Sequence, residues 1–370
     1  MLFDLAPKTD IKELYNFEEE LKRLKTGFEQ GRIVLLLGMR RTGKSSLLKC
    51  FLNGFNVPNI LIDSRRIIVS EGNITLRGFM REFGYALNSF LSKEIGIRDK
   101  VISLLQNIRG VEVDLREFTI SLSWGKENRV EIASILDKID QVAKENGLKI
   151  AIAIDEAQEL RALPINFPTM LAYIYDNLKN IVVIVTGSQV GLLYDLLKVD
   201  NPDSPLYGRL LYEVRLRRIG FGESLEFLRR GFREANLNVD EKLIMDAVEK
   251  LDGILGWLTY FGWSVCQGEY SIEKILDKAA MQEVAELQKF LVKSRAEKRY
   301  KMILKTIAEK PSTWSIIKRA LEAEEGMEVD SSNFTELLER LVKMGVIEKE
   351  DNLYKIVDPV LNYGINKFLK

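Results

Sequence analysis

Ile33-Val-Leu-Leu-Leu37, followed by Gly38-Met39-Arg40-Arg41-Thr42-Gly43-Lys44-Ser45, is the stretch that decides how this chain folds. An apolar run, a loop bounded by glycines and the opening of a helix satisfy G-x-x-x-x-G-K-[ST] in the strand–loop–helix setting that the pattern requires. Gly38 and Gly43 permit backbone conformations in which successive amides curl around an anion. The helix opening at Lys44 aims its positive N-terminus at the same point. Lys44 is long enough to reach β- and γ-phosphate oxygens, and the Ser45 hydroxyl is placed to ligate Mg²⁺. The stretch predicts a nucleotide-binding α/β domain.

Outward from it, further apolar runs read as buried parallel strands: 59–63 (NILID), 150–155 (IAIAID), 181–186 (IVVIVT) and part of 211–216. Helical patterns at 44–52, 77–95 and 130–145 separate them, as in a parallel sheet covered on both faces. The stretch 66–146 is long for one crossover and predicts two helices and a hairpin over 111–124, a lid, a partner surface or plain decoration. Asp155 ends the IAIAID strand and Glu156 follows. A carboxylate there can hold Mg²⁺ through a water while its neighbour polarises the attacking water; the same pair could simply end a strand and cap a helix. No guanine-reading NKxD is present, so ATP hydrolysis is favoured over GTP. Ser188, in Gly187-Ser188-Gln189 after the IVVIVT strand, is a candidate γ-phosphate sensor or part of a small-residue turn. Arg209, in SPLYGR, is a candidate phosphate-binding arginine or a surface residue.

Composition narrows the chemistry. The 370 residues contain no histidine, which removes His-based acid–base catalysis and most transition-metal sites. Cys50 and Cys266 are too few for a disulfide framework or zinc cluster and read as small core residues. The 54 basic and 54 acidic residues cancel, so bulk electrostatics do not imply nucleic acid. No signal-peptide pattern opens the chain and its apolar runs are too short to span a bilayer; a soluble, cytoplasmic protein without membrane contact is expected. After residue 216 the pattern is helical, at 223–234, 240–251 and 255–268. Helices at 299–309, 313–324 and 331–344, then VIEKED and LYKIVD turning at Asp351-Asn352, predict a winged helix-turn-helix with the 331–344 helix in the recognition position. The expected domains are a core over 1–218 with an insertion at about 66–146, a helical lid over 219–294 and a winged helix over 295–370.

GMRRTGKSSLL, IAIDEAQ, VTGSQVGLL and SPLYGR, in this order and spacing, resemble the archaeal ATPase family, of the AAA+ and STAND-like branch of P-loop proteins. The Arg40-Arg41 pair and the LYKIVDPVLNYGI tail, with Asp358-Pro359, share the likeness, which spans nearly the whole chain and is poorest over 66–146. The resemblance implies a P-loop NTPase parallel sheet of the AAA+ type, a helical lid, a C-terminal winged helix and ATP as the nucleotide. Carried over by residue, it gives Gly38, Met39, Arg40, Arg41, Thr42, Gly43, Lys44, Ser45 and Ser46 to the phosphates of ATP or ADP. Ser45 and Asp155 go to Mg²⁺, Glu156 is the base, Ser188 the sensor, and Arg209 an arginine finger. The chain departs from the family at YNFEEEL, where Phe17 stands in an arginine's place, and at Asp252-Gly253-Ile254-Leu255, where a lid proline is lost. Both regions line the adenine in the family, which makes Tyr15, Asn16 and Leu255 the candidate base contacts.

The leading expectation is an ATP-driven switch acting on an unnamed protein client or a second copy of itself. A DNA-binding regulator working through the winged helix is the alternative. Its recognition helix, SSNFTELLERLVKMG, sets Glu336 and Glu339 beside Arg340 and Lys343, where specific DNA readers show a basic stripe. A nucleotide-locked scaffold without turnover is the third reading.

Overall fold

The computed structural model describes residues 1–114, 116–117, 119–123 and 131–370. After α1 (Glu18–Gln30) the chain enters β1 (Ile33–Leu37), turns through the glycine loop, and continues as α2 (Lys44–Gly54) and β2 (Asn59–Asp63). Next come α3 (Ser64–Glu71), α4 (Leu76–Lys93), α5 (Ile95–Leu105) and a hairpin of β3 (Val111–Asp114) and β4 (Thr119–Leu122). α6 (Ile132–Glu145) leads to β5 (Ile150–Asp155), α7 (Phe167–Asn177) to β6 (Ile181–Gly187), and α8 (Val190–Leu197) to β7 (Tyr212–Arg215).

The main sheet has the order β2-β5-β6-β1-β7, and every pairing in it is parallel. β1, β5 and β6 are buried along their whole length, whereas the edge strand β2 alternates. Continuous apolar runs are what a strand covered on both faces needs. One apolar core lies on each face. β1 has β6 on one side and β7 on the other, so the glycine loop opens at the point where strand order reverses, the usual place for a ligand in such sheets. The registers Leu37↔Gly187 and Asp63↔Asp155 align the carboxyl ends of the strands into one edge.

The region 66–146 departs from expectation: α3, α4, α5 and α6 stand where two helices were predicted. α3 is short and largely polar, and the 77–95 pattern ends at Lys93 before a separate helix begins at Ile95. Ile97, Val101, Ile102 and Leu105 give that second helix a buried stripe at helical spacing. Trp124 and Val130, the expected ends of the hairpin and of the next helix, lie outside the described residues.

The lid consists of α9 (Phe221–Glu234), α10 (Glu241–Leu251) and α11 (Leu255–Cys266), with Leu2 and Phe3 of the N-terminal segment buried in its core. α12 (Ile272–Leu291) was not foreseen, and it bridges two units. Ile275, Leu276, Ala279 and Ala280 enter the lid core, while Val284, Leu287 and Leu291 enter the next one. That next core belongs to α13 (Glu297–Glu309), β8 (Ser312–Thr313), α14 (Trp314–Glu325), α15 (Ser331–Lys343), the wing β9 (Ile347–Glu350) and β10 (Leu353–Ile356), and α16 (Pro359–Phe368). Asp351 and Asn352 both take positive φ (47° and 65°), the geometry of a two-residue hairpin turn. α16 returns along α12, with Gly364 against Ala280 and Val284. Among the described residues, no helix is long and apolar enough to cross a membrane.

Candidate active site

The glycine loop wraps a space that the sheet edge leaves open. Gly43 stands at φ 95° and Arg41 at φ 65°, which curls the backbone ahead of α2. Thr42, almost fully buried, holds the curl by donating its hydroxyl to the Met39 carbonyl at 2.8 Å. Lys44 Nζ donates to the same carbonyl at 2.6 Å, so the ammonium already lies inside the loop. Ser46 accepts the Lys8 amide at 3.1 Å, tying the N-terminal segment to the first turn of α2.

The carboxylates lie directly opposite. Asp155 is 2% exposed; its Oδ1 accepts from Thr186 Oγ1 at 2.5 Å, and its Oδ2 accepts from Ser45 Oγ at 2.9 Å. Glu156 stands in the left-handed region at φ 53°, a conformation concentrated at functional sites. Its amide donates to Thr186 Oγ1 at 2.9 Å. Its Oε2 accepts from Ser188 Oγ (2.6 Å), the Ser188 amide (3.3 Å) and Gln158 Nε2 (2.6 Å). With the donors gathered on Oε2, Oε1 is the oxygen left to take a proton. Among the described residues, the buried side-chain polar atoms without a partner are Ser64 Oγ and Gln158 Oε1, both just past the ends of strands at this edge. Such atoms mark places for water or ligand.

Electrostatics follow from this packing. Burial alone would push the Glu156 carboxyl up; Lys44, the Ser188 and Gln158 hydrogen bonds and Arg65 outweigh it and hold it below its ordinary range. Burial pushes the Lys44 ammonium down to about 8, against the opposing pull of Glu156 and Asp155. A phosphate beside Lys44 stabilises the charged form, so the complex holds more protons than the free protein. ADP binding without Mg²⁺ is therefore expected to take up protons above about pH 8, and affinity to fall as pH rises through that value. Calorimetry in buffers of different ionisation enthalpy measures the uptake; a buffer-independent heat across this range would contradict it.

Ser45 and Asp155 offer a hydroxyl and a carboxylate oxygen 2.9 Å apart, a donor set suited to a hard cation such as Mg²⁺ that keeps other positions for phosphate and water. Lys44, Ser45, Asp155, Glu156 and Ser188 thus converge. Thr186 and Gln158, which sequence reading did not single out, support the two carboxylates from β6 and from the turn after β5. Their sequence signal was position alone, at or just past the end of a buried strand.

The other candidates are placed differently. Arg40 pairs with Glu286 of α12, and Arg41 donates to Glu283 Oε1 through Nε (3.2 Å) and Nη2 (2.7 Å) while its guanidinium lies 3.9 Å over Trp257. Trp257 Nε1 in turn donates to Asp358 Oδ2 at 2.9 Å. The amide of Gly256, next to Leu255, donates to the Arg41 carbonyl at 2.8 Å, and a Cβ at Gly256 would come within 2.7 Å of Arg41 Cβ. The lid therefore touches the glycine loop there, with Leu255 packed against both the lid and the sheet cores. Tyr15 is turned into the lid, its ring 5.1 Å from Phe227 and its hydroxyl donating to the Glu223 carbonyl at 2.8 Å. Asn16 is exposed, and Phe17 presses on Gly43, where a Cβ would meet the ring at 2.8 Å. Arg209 is not brought to the site. It forms a bidentate pair with Asp176, at 3.1 and 2.7 Å, near the end of α7. α7 runs down to the start of β6, so Arg209 lies at the amino edge of the sheet and can reach a phosphate only on a neighbouring copy.

The likeness to known proteins agrees with this architecture. Residues 14–260 match an ATPase domain found predominantly in Archaea, and residues 294–357 match the C-terminal winged helix-turn-helix domain of MCM proteins. A Walker-type ATPase of Pyrococcus abyssi superposes with a TM-score of 0.82 at 37% identity over 99% of each chain. The ORC2 protein of Aeropyrum pernix, solved in ADPNP and ADP complexes, superposes with a TM-score of 0.57 at 14% identity, covering 98% of this chain and 97% of that one, and shares the fold. No curated protein matches. The family match over the loop, the carboxylate strand and the lid, extended by that relative along the full length, makes this chain a member of the archaeal ATPase family, a P-loop ATPase fold carrying a C-terminal winged helix.

Proposed function

We propose that the protein binds ATP with Mg²⁺ at the glycine loop, hydrolyses it, and uses the cycle to change how its winged helix is docked. The loop amides and Lys44 hold the β- and γ-phosphates. Ser45 and Asp155 hold Mg²⁺, which when bound neutralises charge on the phosphate oxygens. Glu156 Oε1 takes a proton from water as its oxygen bonds to the γ-phosphorus and the bond to the β-bridging oxygen breaks, leaving ADP and phosphate. Ser188 and Gln158 position that carboxylate.

The observation that carries the switch is the seat of α15. Lys343, at its C-terminal end, pairs with Asp195 of α8 at 3.0 Å, and a Cβ at Gly191 of α8 would come within 2.5 Å of Lys343 Cα. Gly345 sits over the Ser188 carbonyl oxygen, which a Cβ there would meet at 3.6 Å. Glu156, Ser188, α8 and α15 are thus contiguous, so a change at the γ-phosphate has a short route to the winged helix. A nucleotide moves that docking only by as much as it favours one arrangement over the other.

The same seat disfavours α15 as a DNA reader. Lys343 pairs with Asp195 and Arg340 lies over Phe290 at 5.3 Å; both stay exposed, but they share that surface with the equally exposed Glu336 and Glu339, so no basic stripe forms. The client favoured here is therefore a protein surface or the chain's own core. In amide hydrogen exchange, ATP with Mg²⁺ is expected to change exchange in α8 and the C-terminal turn of α15 relative to ADP, because a γ-phosphate brings negative charge beside Glu156 and so alters the load on the Ser188 turn over which Gly345 packs. Identical exchange in the two states would remove the switch, and salt-dependent binding to duplex DNA would restore the DNA reading.

A further inference from the structure

We propose that Arg65 is the arginine this site supplies, from its own chain, to the terminal phosphate of ATP. The inference rests on the ATPase reading above and adds a residue that no motif in the chain marks. Arg65 stands in the first turn of α3, just past β2, and the register Asp63↔Asp155 sets that strand end beside the metal-site carboxylate. Its guanidinium forks onto Asp63, Nε to Oδ1 at 2.9 Å and Nη2 to Oδ2 at 3.0 Å. Nη2 also donates to Asp155 Oδ2 at 3.0 Å, the same oxygen that accepts from Ser45.

That shared oxygen forces an exchange. A divalent cation seated between Ser45 and Asp155 and a guanidinium bonded to the same carboxylate oxygen repel one another strongly at this separation. Arg65 must leave Asp155 when the metal arrives with nucleotide. Its side chain is half exposed, so the guanidinium has room to turn away from Asp155. What remains within its reach is the space bounded by Asp155, Glu156 and Lys44, where the γ-phosphate would lie; its charge is already felt at Glu156 and Lys44. A planar fork of donors suits phosphate oxygens. The other arginines of the loop are committed elsewhere, Arg40 to Glu286 and Arg41 to Glu283, and Arg209 is at the far edge of the sheet. Asp63 and Asp155 then act as the resting place of Arg65 when no γ-phosphate is present, so that the residue distinguishes triphosphate from diphosphate.

The test compares affinities. ADP and a non-hydrolysable ATP analogue, each with saturating Mg²⁺, are titrated into the wild type, Arg65→Ala and Arg65→Lys. Arg65→Ala is expected to bind ADP within about twofold of wild type and the analogue about tenfold more weakly, with Arg65→Lys between, since one lysine replaces a bidentate fork. A wild-type ratio of the two affinities, or equal weakening of both, overturns the proposal. If Arg65→Ala does not fold, Arg65→Lys carries the test, and a wild-type ratio there overturns it as well. Lys44→Ala titrated alongside separates the two levels. Undiminished binding in that variant sinks the reading of the site, whereas loss there with an unchanged ratio in Arg65→Ala sinks only the role of Arg65.

Discussion

Lys44→Ala is expected to weaken ATP and ADP binding by at least about a hundredfold, the scale set by removing a buried group that meets ligand charge. Lys44 is 4% exposed and its Nζ touches the Met39 carbonyl rather than any apolar core, so what truncation removes is charge and one hydrogen bond. The Met39 carbonyl loses that donor, at a cost of about 1–3 kcal/mol of stability if water does not replace it. Lys44→Met, which keeps most of the side-chain length, bounds the packing share of the effect. Fluorescent-nucleotide titration on folded protein, checked by thermal melting, is the measurement. Affinity within a few-fold of wild type in either folded variant would show that the phosphates are held somewhere other than the glycine loop.

How much of this was legible in sequence depended on whether a residue's role is local. Lys44 and Ser45 follow from a contiguous motif whose backbone does the work, and Asp155 and Glu156 follow from a buried strand that must end in something polar. The inner strands β1, β5 and β6 were readable because a strand covered on both faces has to be apolar throughout, whereas the edge strands β2 and β7 carry a weaker signal. Arg65 was not readable. Its role exists only because β2 pairs with β5 in one register, and nothing near Arg65 in sequence refers to residue 155. The pairing of Arg40 and Arg41 with Glu286 and Glu283 was hidden in the same way, since α12 lies more than two hundred residues along the chain. Arg209 shows the converse. As a candidate arginine finger it precedes the last strand, and residues that precede a parallel strand lie at the edge opposite to those that follow one, which leaves a neighbouring copy's phosphate as the one within its reach. α12 escaped notice because its apolar positions serve two cores in succession, which blurs a single stripe. Tyr15 and Asn16 were chosen by analogy; the Tyr15 ring is buried against Phe227 in the lid core and Asn16 is exposed.

Glu156→Gln is expected to bind ATP with Mg²⁺ within about threefold of wild type and to hydrolyse it about 10²–10⁴-fold more slowly, the usual contribution of a positioned general base. The amide has the shape of the carboxylate, and its oxygen can still accept from Ser188 and Gln158, which keeps the left-handed turn at residue 156 in place. What is lost is basicity at the oxygen facing water. Because Lys44 and the hydrogen bonds outweigh burial and hold the wild-type carboxyl below its ordinary range, Glu156 stays ionised at neutral pH and well into mild acid. The wild-type rate should therefore show no acid limb from this group until the pH falls below the usual carboxylate range. Ser188→Ala tests the same logic from the other side. Removing one of the hydrogen bonds that lower the Glu156 pKa moves any acid limb towards higher pH and slows turnover less than Glu156→Gln does. Single-turnover phosphate release across pH, with ATP affinity measured separately, resolves the two variants. A Glu156→Gln rate within about threefold of wild type corresponds to roughly 0.7 kcal/mol of barrier, too little for the loss of the base, and would place proton acceptance on another group.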